Sequence, residues 1–68
     1  MIEVNFNFEG FTIYNALMPV VPREGEIVSI PKRDGSRMKY KVNSVTYYLI
    51  NEEHQRTSFA DLIISEAK

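Results

Sequence analysis

Apolar and polar residues alternate along most of this chain. Ile2, Val4, Phe6 and Phe8 are separated by Glu3, Asn5 and Asn7 and followed by Glu9, the period-two pattern of a strand with one buried and one wet face. Gly10 interrupts it, and Phe11, Ile13 and Ala16 resume an apolar alternation on shifted parity, which predicts a hairpin with a tight turn or bulge at Glu9 and Gly10. Pro19 and Pro22 bracket Val20 and Val21. Proline supplies no amide hydrogen, so this stretch reads as an extended connector or sheet edge. Arg23, Glu24 and Gly25 make a turn into Glu26 to Ile30, where β-branched Ile27, Val28 and Ile30 suit a strand that Pro31 closes.

Asp34 followed by Gly35, within Lys32 to Arg37, favours a hairpin reversal because glycine tolerates positive φ. A long β segment follows from Met38 to Ile50. Its apolar positions run Met38, Tyr40, Val42 and then Val45, Tyr47, Leu49, so the parity switches once. The switch predicts a bulge at Asn43 and Ser44, which would bend the strand sharply. Asn51 to Gln55 is polar and makes the next reversal, and Thr57 to Ile64 supplies a last strand. Ala60, Leu62 and Ile64 take one of its faces; Phe59, Asp61 and Ile63 take the other. A helix over Ser58 to Lys68 stays open as an alternative, since Ser58 and Asp61 resemble a capping box and Leu62, Ile63 and Glu66 have helical spacing.

Sixty-eight residues leave room for one domain, spanning 1–68. A chain this short buries only roughly 60% of the surface its unfolded form exposes. With 44% hydrophobic and 25% charged residues it has globular proportions, but no cysteine to supply a disulfide or the commonest zinc ligand. Stability must come from a packed core, and self-association into a homodimer would add to it. The opening Met-Ile-Glu-Val-Asn-Phe has neither a basic start nor a continuous apolar run, and no window is long and apolar enough to cross a bilayer as a helix. The cytoplasm is the expected location, with no role at a membrane.

Five or six short strands in so few residues are most economically arranged as one strongly bent sheet closed on itself. The expected fold is all-β, a small SH3-like barrel of five or six antiparallel strands with a bulged long strand. Pro22-Arg23-Glu24-Gly25-Glu26-Ile27-Val28-Ser29-Ile30, followed by Tyr40-Lys41-Val42-Asn43-Ser44-Val45-Thr46-Tyr47, resembles the Pro-x-x-Gly-acidic-x-Val-x-Ile and Tyr-x-Val-x-x-Val-x-aromatic pattern of small SH3-like barrel proteins from bacteria and their phages. The resemblance covers residues 22–64 and departs at Tyr47, where a tryptophan is expected. It implies a fold rather than an activity, since most such proteins have no assigned role and some phage-borne ones inhibit host systems.

Candidate chemistry is sparse. There is no cysteine nucleophile, and the single His54 lies among Glu52, Glu53 and Gln55 in a polar turn, where a base has nothing to orient it. Glu52, Glu53 and His54 point in divergent directions as consecutive turn residues, so no metal site is expected from them. Gly10, Gly25 and Gly35 lack the spacing of a phosphate loop or dinucleotide fingerprint. Neither an enzyme nor a cofactor is expected.

Charge is more informative. Lys32, Arg33, Arg37, Lys39 and Lys41 place five of the eight basic residues within ten positions with Asp34 the one acid, so this segment carries +4 and the rest of the chain −5. On a strand Arg37, Lys39 and Lys41 share one face, a row able to meet phosphates, an anionic nucleotide or an acidic protein, or simply to keep an exposed strand soluble. Tyr47 and Tyr48, being adjacent, must face opposite sides, and an outward Tyr48 with Phe59 would form an aromatic patch. Such patches anchor protein interfaces and stack nucleobases. The leading expectation is a binding module for another protein, by strand addition or by the aromatic face. The alternative is nucleic-acid or nucleotide binding through the basic hairpin, with Tyr48 or Phe59 as a stacking surface.

Overall fold

A computed structural model describes residues 1–49 and 58–67. It contains five strands: β1 (Ile2–Phe8), β2 (Phe11–Met18), β3 (Ile27–Pro31), β4 (Arg37–Leu49) and β5 (Ser58–Glu66). They form one curled sheet in the order β2-β1-β5-β4-β3. The segment Ser58–Glu66 is therefore strand and not helix, and its alternation wins over the local capping signal because Ala60, Leu62 and Ile64 are all buried. The expected turn at Asn51 to Gln55, with Glu52, Glu53 and His54, lies outside the described residues.

Two features differ from the expected barrel. β1 pairs parallel with β5, from Glu3 opposite Phe59 to Phe8 opposite Ile64, so the sheet is mixed and not all antiparallel. Hairpin-like turns join β1 to β2 and β3 to β4, but nothing in alternation fixes the relative direction of strands so far apart in sequence. The sheet is also a half-barrel, with β2 and β3 as its two edges.

Nine side chains among the described residues make the core: Val4, Phe6, Val21, Ile30, Tyr40, Val42, Ala60, Leu62 and Ile64. They line the concave face, with Ile2, Phe8, Ala16, Met18, Val28, Met38 and Val45 packed around them. Curling brings Phe8 of β1 edge-on to Tyr40 of β4, ring centroids 5.3 Å apart, although β5 runs between these strands. In a flat sheet, strands two apart are roughly 10 Å from one another. Val21 is buried while its neighbour Val20 is exposed, so the proline-bracketed connector lays one side chain across the core.

Local chemistry explains the turns and bends. Glu9 and Gly10 both have positive φ, 51° and 85°, the backbone of a two-residue hairpin turn. Asp34 Oδ1 accepts hydrogen bonds from the Ser36 amide, 2.9 Å, and the Ser36 hydroxyl, which closes the β3–β4 turn with Gly35 at φ 90°. The β4–β5 register jumps between Val42 and Ser44, placing the bulge at Asn43 as the parity switch predicts. A second bulge was not foreseen. Phe6 pairs with Tyr14 but Asn7 with Thr12, so Ile13 is the extra residue in β2. The side of β2 that faces the core consequently carries Phe11, Tyr14, Ala16 and Met18, although Phe11, opposite Phe8 at the turn, is 74% exposed, and Ile13 is exposed at the bulge. Of the expected inward run Phe11, Ile13 and Ala16, Ala16 packs on the core, Phe11 shares that side but stays exposed, and Ile13 is displaced by the bulge.

Candidate binding face

The convex face of the sheet carries what the core leaves over. In the centre, cross-strand pairing lines residues up in rows over β2, β1, β5 and β4. One row is Leu17, Glu3, Phe59 and Tyr48; the next is Asn15, Asn5, Asp61 and Thr46; a third is Thr12, Asn7, Ile63 and Ser44. Strand alternation assigns all of them to the same side.

Hydrogen bonds tie the middle row into a ladder. Asn15 Nδ2 donates to Asn5 Oδ1 and to Glu3 Oε1, and Asn5 Nδ2 donates to Asp61 Oδ1 at 2.9 Å. Alongside it, Asn7 Nδ2 reaches the Leu62 carbonyl at 3.2 Å and Asn7 Oδ1 accepts from the Thr12 hydroxyl. These side chains are fixed by their neighbours across strands, which makes this a shaped face and not a fluctuating polar surface.

At one end of the ladder the rings of Tyr48 and Phe59 stack, with centroids 4.7 Å apart and planes within 10°. Tyr48 is 44% exposed and Phe59 half-buried. The two are directly opposite in the β4–β5 pairing, and the Asn43 bulge turns Tyr48 to this side. Tyr47, on the other parity, is exposed too, so neither tyrosine reaches the core. Beside the stack a cleft of about 440 Å³ is lined by Asn7, Glu9, Gly10, Thr46, Tyr48, Asp61 and Ile63. The cleft was not foreseen. Its members come from β1, the first turn, β4 and β5, and only the parallel β1–β5 pair brings them together.

The basic residues occupy the other arm of β4. Arg37, Lys39 and Lys41 alternate with the inward Met38, Tyr40 and Val42, so they share the outer side as expected, and all three are exposed. Arg37 Nε donates to the Ser29 hydroxyl at 2.9 Å and its terminal nitrogen to the Ser29 carbonyl at 3.0 Å. Lys32 and Arg33 sit in the β3–β4 turn, exposed, next to Asp34. The two hydrogen bonds from Ser36, aided by Lys32, hold the Asp34 carboxyl below its ordinary pKa of 3.8. Between Lys41 and Tyr48 the strand carries the uncharged Asn43, Ser44 and Thr46 on or near the outer side, so the cations and the aromatic stack are separate clusters on one strand.

Among the described residues no group of three or more histidine, cysteine, aspartate or glutamate side chains is placed to hold a metal ion. Among the described residues there is no helix long and apolar enough to cross a membrane. Comparison with protein-family models, curated proteins and solved structures finds no match.

Proposed function

We propose that this chain is a non-catalytic binding module that recognises another protein through the convex face around Tyr48 and Phe59. The observation that carries the reading is the stacked ring pair, held in place by cross-strand pairing beside a cleft and partly open to solvent. Interfaces draw most of their energy from a few rigid aromatic anchors next to pockets, ringed by polar groups. Here Leu17 and Ile63, 65% and 55% exposed, extend the apolar surface, and the asparagine ladder supplies ordered hydrogen-bonding groups beside it. Glu3, Glu9 and Asp61 give this region a negative character, so the favoured partner presents apolar and basic side chains. The buried side chains of the described residues are all apolar or tyrosine, with none of the desolvated charged groups that catalytic sites use. The bent, bulged β4 and the β3–β4 hairpin support kinship with SH3-like barrels, in a variant whose first and last strands run parallel. We place the module in the cytoplasm of a bacterium or phage-infected cell on that kinship and the lack of cysteine.

The test is capture from native lysate by wild type and by Tyr48→Ala, with circular dichroism showing that both are folded. A protein retained in stoichiometric amount by wild type and lost from Tyr48→Ala supports the reading. Retention of the same protein by both, or of nothing above background by wild type, refutes it.

A second reading rests on Arg37, Lys39 and Lys41 sharing the outer side of the strand that carries Tyr48. A single-stranded nucleic acid or nucleotide would meet the cations with its phosphates and the stack with a base. The acidic groups around the stack disfavour it relative to a protein partner. Affinity for single-stranded polymer that falls steeply with salt and is lost in the Lys39→Ala, Lys41→Ala double variant would make it the better account.

A further inference from the structure

An edge strand presents unpaired amide and carbonyl groups, and natural sheets guard such edges with charge, proline or shortness. β3 is guarded in all three ways: it has five residues, Pro31 ends it, and Lys32 and Arg33 follow. β2 is guarded in none. It runs eight residues from Phe11 to Met18 with no charged side chain and no proline, and Phe11, Ile13, Tyr14 and Leu17 are exposed along it. The one irregularity is the bulge at Ile13, which leaves Tyr14 to Met18 as the regular stretch.

We propose that β2 is the interface between two copies of this chain, paired antiparallel about a two-fold axis at Ala16 into one continuous sheet. An uncharged strand meets its own copy without like-charge repulsion, which commits the occupant to a second copy and not to a charged peptide. Residues directly opposite each other in an antiparallel pair point to the same side, so the axis must fall on a residue and not between two. Ala16 is the midpoint of the regular stretch, so an axis there pairs Tyr14 to Met18 across the interface. Tyr14 then lies opposite Met18 of the partner subunit on the concave side, and Asn15 opposite the partner's Leu17 on the convex side. A two-fold axis closes the assembly at two chains, since the only other sheet edge among the described residues is the guarded β3.

Of the exposed apolar side chains only Tyr14 and Leu17 fall within the paired stretch, and they present roughly 200 Å² per copy, taking about 200 Å² as the full area of a large side chain. A standard interface takes about 800 Å² from each partner. The dimer is accordingly weak and concentration-dependent, with a Kd on the order of micromolar or higher.

Sedimentation velocity of the whole chain over a concentration series tests this, together with single-cysteine variants, which are clean because the chain has no cysteine of its own. Opposed residues in antiparallel strands have Cα atoms about 4.5–5.5 Å apart, within disulfide reach. Wild type should pass from monomer to dimer with concentration, Leu17→Lys should weaken the dimer by about tenfold or more, and oxidation should convert most of Ala16→Cys, but not Ser29→Cys on β3, to covalent dimer. Tyr48→Ala should dimerise like wild type, which separates this interface from the convex-face reading. Monomer at every concentration, a dimer indifferent to Leu17→Lys, or cross-linking through Ser29→Cys as readily as through Ala16→Cys overturns the proposal.

Discussion

Replacing Leu62 and Ile63 one at a time by alanine tests the alternation on which the fold rests. The two are neighbours in β5 and each loses three carbon atoms, yet Leu62 is fully buried on the concave side while Ile63 is 55% exposed on the convex one. At about 0.8 kcal/mol per buried methylene, Leu62→Ala loses about 2.4 kcal/mol of transfer energy, and the cavity left behind raises this to about 3–4 kcal/mol. Ile63→Ala, with about half its side chain already in water and no cavity to leave, should lose about 1 kcal/mol. For a chain of this length the whole stability is of order 3–10 kcal/mol, so the first change threatens the folded state and the second does not. Urea unfolding followed by far-UV circular dichroism reads the difference, and with a slope of about 1 kcal/mol per molar the midpoints should fall by about 3 M and 1 M. If Leu62→Ala does not fold, Leu62→Val removes one methylene at the same site and should lose about 1 kcal/mol. Equal losses at the two positions, or a greater one at Ile63, would refute the assignment of faces.

The remaining expectations concern turns and polar contacts. Glu9 has a left-handed φ of 51° that favours asparagine over glutamate; Glu9→Asn should raise stability by about 0.5–1 kcal/mol, and a lower melting temperature would count against the turn described here. The Asn5–Asp61 hydrogen bond links β1 to β5 across the parallel pair; a double-mutant cycle of Asn5→Ala and Asp61→Ala should give a coupling of about 1–2 kcal/mol, and additive losses would mean the bond contributes nothing. Asp34 should titrate below 3.8 by NMR and move up toward that value in Ser36→Ala. Because its folded pKa is depressed, the contribution is present above the unfolded value and lost as pH falls through the folded one. The group is exposed, so this loss stays local to the turn. A wild-type midpoint at or above 3.8 would contradict the hydrogen bonds from Ser36.

What could be read from the sequence was whatever local alternation decides. The inward set of β1, the parity switch around Asn43, the split of Phe59 and Asp61 from Ala60 and Leu62, and the turn at Glu9 and Gly10 all follow from period-two patterning and turn chemistry. The Ile13 bulge escaped because β2 is apolar at consecutive positions, Ala16, Leu17 and Met18 among them, so its pattern names no unique inward face. The parallel β1–β5 pair and the open half-barrel escaped because strand direction is set by contacts between residues over fifty positions apart. The convex face was half legible. Parity alone puts Tyr48 and Phe59 on one face, while their stacking and the cleft beside them needed the register and strand order.

The central seat of β5 constrains how the molecule is made. β1–β2 and β3–β4 are each joined by a short turn and can zip locally, yet among the described residues the two hairpins are hydrogen-bonded into one sheet only through β5. Two ribbons, each with an apolar side uncovered, must wait during translation until Ile64 has emerged, and then accept it between them in a single step. Loop closure over nearly the whole chain comes before any reward from the shared core, so folding should be slow for the size and strongly cooperative. Trimming the chain back into β5 should therefore abolish folding outright, where removing an outer strand of the same length would only weaken it.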